Sequence, residues 1–287
     1  MDDIRKLQLT QLYIMKDIAE ICEQNDITYY LCGGSLLGAI RHNGFIPWDD
    51  DLDITMYRNE LKKLTDVIKE KYSEKYFIQN FETDSKYTRY ITKIRLNGTS
   101  QVEKRSSDDN IHHGIYIDIF PLDHVTKSDG LGLKIRGKLL RLLFALKTAQ
   151  CSKHNTATNI KKAILKCVRP VSRLIPSSFV NDMFDWVCTA TDKPGAKYTT
   201  SFASHYLWKK QLVENEVYGC GEKHKFENCE FTIPSNYKAL LNQVFGADYM
   251  QLPPEDKRLS GHTLVKIDLG KYECDIEKLA VELDSVN

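Results

Sequence analysis

The sequence lacks the features that mark a membrane-spanning or secreted chain. No apolar run in its 287 residues approaches the ~20 residues that a membrane-spanning helix needs. The most apolar segment, 139–146, is short and is interrupted by Arg141. The N-terminal residues also lack the charged-then-apolar layout of a secretory signal. These absences predict a cytoplasmic protein.

Cysteine pairs of the kind that bind metal or exchange disulfides are also missing. The chain has eight cysteines, but none forms a Cys-x-x-Cys pair. Cys220, His224 and Cys229 are close enough in sequence to suggest zinc, yet a fourth ligand is not evident. Reduced thiols are therefore the favoured interpretation, and they also fit a cytoplasmic location.

Acidic residues are absent from 131–176, which we call the basic block, although the net charge of the whole chain is only +1. Its pattern predicts two amphipathic helices, at about 131–149 and 160–175. Their cationic faces are either solvated or docked on anionic lipid head groups at the inner face of the membrane. No nucleic-acid-binding motif is present, so nucleic acid is not an expected partner. The cations of the block are Lys134, Arg136, Lys138, Arg141, Lys147, Lys153, Lys161, Lys162, Lys166, Arg169 and Arg173.

A glycine turn near the N-terminus has the chemistry of a phosphate cradle. Gly33, Gly34 and Ser35 follow a short apolar run and precede an apolar helix-like segment. We expect Ser35 to cap that helix, which ends near Asn43. Free backbone N–H groups and the positive end of the helix dipole can then hold a phosphate. Such a turn alone is weak evidence.

Four aspartates, Asp49, Asp50, Asp51 and Asp53, crowd into five positions just beyond this turn. The alternation over 51–54 predicts a strand that places Asp51 and Asp53 on one face and apolar residues on the other. Such a carboxylate pair suits Mg²⁺, with Mn²⁺ as the alternative cation. A solvated loop or a calcium site are the other interpretations, but the glycine and closing glutamate of a calcium loop are missing.

Periodicity and turn signals predict the other elements. We expect helices at 3–24, 59–71, 182–188 and 236–245, and strands at 28–32, 51–55, 77–80, 89–94 and 116–120. The last strand carries a single aspartate, Asp118, between isoleucines. A carboxylate in that position is costly unless it is paired or bound to metal.

The sequence GGSLLGAIRHNGFIPWDDDLDI, from Gly33 to Ile54, resembles the signature of LicD-type phosphocholine transferases, in the nucleotidyltransferase superfamily with fukutin-related proteins. Ile117-Asp118-Ile119 matches the third carboxylate of that pattern, and the resemblance resumes from Phe226 to Pro254. It implies an α/β (α+β) fold with a nucleotidyltransferase-like core and a small mixed sheet at 26–125. The basic block would be a helical insertion, 200–260 a C-terminal family segment, and 1–287 one unit.

The resemblance implies that Asp51, Asp53 and Asp118 hold one or two Mg²⁺ ions. Asp118 is the residue expected to help deprotonate an acceptor hydroxyl. The roles of four residues stay open. Arg41 either binds phosphate or interacts with the negative end of the α-helix dipole, and Trp48 either stacks on substrate or braces the turn. Lys93 and Arg95 either bind phosphate or lie on a solvated strand edge. The expected substrate-binding residues are Gly33, Gly34, Ser35, Arg41, Trp48, Asp49, Asp50, Lys93, Arg95 and Glu227.

The function implied is transfer of phosphocholine, or a similar phospho-alcohol, from CDP-choline or a related CDP-alcohol to a sugar hydroxyl of a cell-surface glycan or its lipid-linked precursor. The alternative is a nucleotidyltransferase that moves NMP from an NTP to a small molecule. An Asp-x-Asp glycosyltransferase would leave the glycine turn and Asp118 unexplained. A degenerate domain that only docks on membranes would have no need of the acidic triad.

Overall fold

The protein is described here from a computed structural model. The residues described are 1–84, 86–104, 111–128, 130–151, 169–170, 172–190, 195–204, 208–261 and 263–286. Within those ranges, no helix combines the length and the apolar character that crossing a bilayer would require. The expected second helix of the basic block, at 160–175, lies largely outside the described residues.

The chain contains both helices and strands. The helices are α1 (Asp3–Gln24), α2 (Gly33–His42), α3 (Arg58–Lys71), α4 (Leu131–Cys151), α5 (Ser177–Thr189), α6 (Trp208–Gln211), α7 (Tyr237–Phe245) and α8 (Glu273–Val286). The strands are β1 (Tyr30–Leu31), β2 (Asp53–Tyr57), β3 (Tyr76–Gln79), β4 (Thr92–Leu96), β5 (Ser100–Glu103), β6 (Tyr116–Val125), β7 (Tyr198–Thr200), β8 (Val213–Glu214), β9 (Glu222–Phe226), β10 (Cys229–Ile233) and β11 (Leu264–Asp268).

The main sheet is mixed and runs in the order β1-β2-β6-β4-β3, with β7 and β8 added beyond the far half of β6. Strands β2 and β6 are parallel, and the other pairings described for this sheet are antiparallel. Strands β9 and β10 form a separate hairpin, and β5 pairs with β11. The expected α/β (α+β) class with a mixed sheet is confirmed.

The core lies between one face of the main sheet and the amphipathic helix α1. The 3.6-residue stripe of α1 buries Leu7, Leu12, Met15 and Ile18 completely. Ile54 of β2, with Ile94, Ile117 and Ile119 of the neighbouring strands, belongs to the same cluster. The opposite face of these strands is therefore left for polar side chains.

Two local predictions around the glycine turn are wrong. Helix α2 begins at Gly33, with Cys32 as its N-cap residue, and Ser35 does not cap it. The Ser35 hydroxyl instead accepts a hydrogen bond from the Asp53 backbone N–H. The strand expected at 51–55 begins at Asp53, so Asp51 lies in the preceding loop. The end of α2 is as expected, because Asn43 takes the left-handed conformation with φ 55°.

Other predictions hold to within a few residues. Helix α1 matches its expected range, and α3, α5 and α7 differ from theirs mainly at the ends. The strand expected at 89–94 begins three residues later, at Thr92. Helix α8 was not predicted; its residues Ile276, Leu279 and Leu283 are buried in the main core.

Candidate active site

Three charged side chains form a row across the sheet. Asp53 on β2 is the register partner of Asp118 on the parallel strand β6. Asp118 is also the register partner of Lys93 on the antiparallel strand β4. The Lys93 ammonium donates a hydrogen bond of 2.6 Å to Asp118 Oδ1, and both side chains are buried. Asp53, Asp118 and Lys93 therefore share the sheet face opposite the isoleucines of the core.

The loop before β2 brings the other aspartates together. Carboxylate oxygens of Asp49, Asp50 and Asp51 lie within 4.8 Å of one another. Two glutamines of helix α1 hold this loop in place. The Gln8 amide donates to the Asp49 carbonyl at 2.9 Å, and the Gln11 amide donates to the Asp50 carbonyl at 3.0 Å. These two glutamines were not expected to bear on the site. Their signal in the sequence is a pair of amides on the otherwise apolar stripe of α1.

The N-terminal turn of α2 packs directly against this cluster. Gly33 has a φ of 54°, a conformation that glycine adopts at low cost. At Gly34, a Cβ atom would lie 2.5 Å from Asp49 Oδ2, so only glycine lets the carboxylate approach this closely. The hydrogen bond from Asp53 N–H to Ser35 Oγ, 2.8 Å long, joins the turn to β2. The expected phosphate cradle and the expected carboxylate strand are thus in contact.

Burial and mutual repulsion dominate the electrostatics of the cluster. Burial, followed by the charges of Asp51, Asp118 and Asp49, raises the pKa of Asp53 well above its usual range. Burial and the neighbouring Asp51 raise the pKa of Asp49 to about 8. Burial lowers the pKa of Lys93 to about 8, against the opposing effect of Asp118. Each shift shows that the protein alone solvates these charges poorly.

The donor set fits a hard divalent cation. Asp53 Oδ1 is buried and has no hydrogen-bond partner among the described residues, which is costly for a carboxylate oxygen. A cation bound to it would satisfy that oxygen and relieve the repulsion between the aspartates. Among the described residues, the three carboxylates that lie within 4.8 Å of one another are those of Asp49, Asp50 and Asp51, so Asp51, Asp53 and Asp118 as the three ligands stay a prediction. Lys93 balances one of these negative charges.

Lys93 and Arg95 are not on a solvated strand edge, so that alternative is wrong. Each is only 5% exposed. The Arg95 guanidinium donates to Gln79 Oε1 at 2.7 Å and to the Gly114 carbonyl at 2.6 Å. Arg95 thus braces β4, whereas Lys93 faces the aspartates. Phosphate binding by either side chain stays a prediction.

Arg41 and Trp48 both contact the C-terminal segment. Arg41 is in the last turn of α2, and its guanidinium donates to the Tyr249 and Gln251 carbonyls. Trp48 is half-buried, and the Arg258 guanidinium lies 5.6 Å from its ring centroid. Both residues anchor the C-terminal segment to the glycine-turn region, and their binding of substrate stays a prediction.

Glu227 has three protein donors. Its carboxylate accepts two hydrogen bonds from the Arg5 guanidinium, at 3.1 and 2.9 Å, and one from Phe45 N–H at 3.3 Å. Its own backbone N–H donates to Asn43 O, and its φ is 58°. This geometry ties the β9–β10 turn to α1 and to the end of α2. Its expected part in substrate binding stays a prediction.

Ser260 is a site residue that sequence reasoning missed. Its hydroxyl donates to Asp50 Oδ2 at 2.6 Å across 210 positions of sequence. Asp50 itself is 1% exposed. The C-terminal segment around 258–261 therefore covers the aspartate loop, which no local pattern in the sequence indicates.

Comparisons with known proteins agree with this arrangement. A family model described as LicD/FKTN/FKRP, nucleotidyltransferase domain, matches residues 26–131, which include the glycine turn and all the aspartates discussed. The chain is 29% identical over 266 residues to the lipopolysaccharide cholinephosphotransferase LicD of Haemophilus influenzae, covering 90% of this chain and 96% of that protein.

Two shorter matches cover about a fifth of this chain. Over 57 residues it is 47% identical to the uncharacterized protein RP689 of Rickettsia prowazekii, covering 21% of that protein. Over 58 residues it is 40% identical to the human ribitol 5-phosphate transferase FKRP, covering 11% of it. The matched residues 26–131 include strands β2 and β6, which place Asp53 beside Asp118. Residues 26–131 therefore match the LicD/FKTN/FKRP nucleotidyltransferase domain, and the chain over most of its length is similar to LicD.

Proposed function

We propose that the protein is a metal-dependent transferase that moves phosphocholine, or a similar phospho-alcohol, from a CDP-activated donor to a sugar hydroxyl of a cell-surface glycan or its lipid-linked precursor. The observation that carries this proposal is the juxtaposition of Asp53 and Asp118 on parallel strands beside the Gly33–Ser35 turn. The relative named as a lipopolysaccharide cholinephosphotransferase supports the choline and the glycan.

In the reaction, the acceptor oxygen forms a bond to the phosphorus of the phospho-alcohol. The bond from that phosphorus to the bridging oxygen of the donor breaks, CMP leaves, and the acceptor hydroxyl loses its proton. Mg²⁺ held by Asp51, Asp53 and Asp118 would neutralise charge on the diphosphate.

The protein's own groups orient the reactants and handle the proton. The first backbone N–H groups of α2, at Gly34 and Ser35, can hold phosphate oxygens through free donors and the helix dipole. Lys93 fixes the position of the Asp118 carboxylate through its 2.6 Å hydrogen bond. We assign to the Asp118 carboxylate the role of receiving the acceptor proton.

We also propose where the protein acts in the cell. A CDP-activated donor and an intracellular glycan precursor would meet in the cytoplasm, so we place the protein there, peripheral to the inner face of the membrane. We also propose that the basic block contacts an anionic membrane.

The decisive experiment measures which product the enzyme releases. Purified full-length protein is incubated with Mg²⁺, lipopolysaccharide or free sugars, and CDP-choline, CDP-ethanolamine, CDP-glycerol or CDP-ribitol in turn. We expect CMP release from one of these donors, dependent on Mg²⁺ and abolished by EDTA.

The controls separate this function from its nearest competitor. Asp53→Asn should abolish CMP release, whereas Asp182→Asn, an exposed carboxylate on α5, should not. Pyrophosphate release from a nucleoside triphosphate would instead identify the nucleotidyltransferase alternative. Absence of CMP from every donor, with and without acceptor, would overturn the proposal.

A further inference from the structure

The structure divides the cations of helix α4 into two groups. Arg136 donates to the Val187 and Cys188 carbonyls, and its guanidinium lies 4.7 Å from the Phe202 ring centroid. Lys147 is 1% exposed and donates to Ser177 Oγ at 2.6 Å. These two cations therefore hold α4 against its neighbours. The remaining three, Lys134, Lys138 and Arg141, are exposed.

Large apolar side chains lie on the same side of the helix as these cations. Leu131 is 73% exposed, and Ile135 and Leu142 are each 55% exposed. At about 100° per residue, these three and the three cations fall within an arc of about 120°. The buried stripe of α4, which includes Leu133, Gly137 and Leu140, lies on the opposite side. We call the surface of Leu131, Lys134, Ile135, Lys138, Arg141 and Leu142 the outer α4 face.

We propose that the outer α4 face lies on the surface of an anionic lipid bilayer. It extends about 16 Å along the helix, at 1.5 Å per residue. Apolar side chains at this spacing reach the acyl boundary, while lysine and arginine heads remain among the lipid phosphates. Helix α5, which packs beside α4, also leaves Phe179 55% and Trp186 63% exposed. Aromatic side chains of this kind favour the head-group region.

The mixture of charge and apolar area distinguishes a bilayer from other anionic partners. The basic block contains no acidic residue, so its charge matches anionic head groups without internal compensation. Nucleic acid would neutralise the cations through its phosphates but would leave Leu131, Ile135 and Leu142 in water. A bilayer surface uses both halves of the pattern.

The test is vesicle flotation of the full-length protein. Vesicles of phosphatidylcholine alone are compared with vesicles that contain about one-third phosphatidylglycerol, an anionic lipid. We expect binding to the anionic vesicles that weakens as salt is raised, and little binding to the neutral ones. The triple variant Lys134→Gln/Lys138→Gln/Arg141→Gln should bind about 100-fold more weakly, because each cation near the surface adds a factor of roughly five in partition.

Two further variants make the test specific. Ile135→Ser/Leu142→Ser keeps the charge and should also weaken vesicle binding, which a purely electrostatic contact would not predict. Lys69→Gln/Lys71→Gln/Lys238→Gln removes three exposed lysines elsewhere, with the same change in net charge, and should bind like wild type. Circular dichroism melts confirm that each variant is folded.

Several outcomes would overturn the assignment: no binding to anionic vesicles, equal loss in the control triple variant, or preference for single-stranded RNA over vesicles. CMP release from a soluble sugar acceptor is measured in parallel. Because that reaction needs the aspartate site and not the outer α4 face, failure of one assignment leaves the other testable.

Discussion

Asp53 and Asp118 are register partners on adjacent parallel strands, and the Lys93 ammonium lies 2.6 Å from Asp118 on the next strand. Lys93 and, at longer range, Arg89 therefore face a cluster with a larger number of carboxylates. That imbalance has a functional consequence, since a folded protein gains stability when such a charge is removed or matched by a metal ion.

The first prediction concerns this imbalance. Asp53→Asn should reduce transfer at least about 100-fold, because it removes a ligand oxygen from the metal site. Without metal, the variant should be as stable as wild type or more stable, because burial and neighbouring aspartates disfavour the charged form of Asp53. Thermal melts with and without Mg²⁺ check this: wild type should melt at a higher temperature with Mg²⁺, and Asp53→Asn should show almost no increase.

Asp182→Asn serves as the matched control, since it removes an exposed carboxylate from α5. It should retain both transfer and the Mg²⁺-dependent rise in melting temperature. An Asp53→Asn protein that still responds fully to Mg²⁺ would place the ion elsewhere.

Gly34 gives a second prediction, because a Cβ there would lie 2.5 Å from Asp49 Oδ2. Gly34→Ala should displace the Asp49 carboxylate and reduce transfer about tenfold or more. Stability should change by less than about 1 kcal/mol, because alanine is favoured over glycine within a helix and offsets the contact. Steady-state CMP release and urea unfolding measure the two effects.

Gly132→Ala is the control for helix propensity, since Gly132 lies in α4 and no heavy atom is within 4 Å of its added Cβ. It should keep full activity. If Gly34→Ala is equally active, close packing of the glycine turn against Asp49 is not needed for catalysis.

Local patterns indicate the parts of this site that lie close together in sequence, but not the parts that strand order brings together; Asp118 entered the predicted site only through the family resemblance. Asp51, Asp53 and the glycine turn are recognisable because the chemistry is local, and the 3.6-residue stripe of α1 predicts that helix to the residue. The position of Lys93 beside Asp118 depends on β4 lying next to β6. No periodicity in either segment contains that information.

Hydrogen bonds to backbone carbonyls explain why strand β2 begins later than predicted. The strand alternation extends to Asp51 in the sequence, but hydrogen bonds from Gln8 and Gln11 hold 49–50 as a loop. The contact of Ser260 with Asp50 is also a tertiary effect. Propensity is overridden at these positions because buried backbone groups must find partners.

The Arg5–Glu227 pair supports a third prediction. Glu227→Gln and Arg5→Met should each lower the free energy of unfolding by about 1–2 kcal/mol, and the double variant should cost less than the sum. Three protein donors already occupy the carboxylate, so KM for the CDP donor should stay unchanged. Urea unfolding and donor kinetics are measured for wild type, both single variants and the double variant, which together form a double-mutant cycle. A KM that rises in Glu227→Gln but not in Arg5→Met would assign Glu227 to substrate binding.

The last prediction concerns alkaline pH. Burial raises the pKa of Cys22 from 9.0 to about 12 and that of Tyr30 from 10.0 to about 12. Above pH 9 the unfolded chain loses these protons while the folded chain keeps them, so stability must fall as pH rises. At pH 10 the Cys22 thiol alone costs about 1 kcal/mol. Urea unfolding at pH 8 and pH 10 should show a smaller loss for Cys22→Ala than for wild type, whereas Cys274→Ala, at an exposed thiol, should show the full loss. Equal losses in all three proteins would mean that the Cys22 thiol ionises as readily in the folded chain as in the unfolded one.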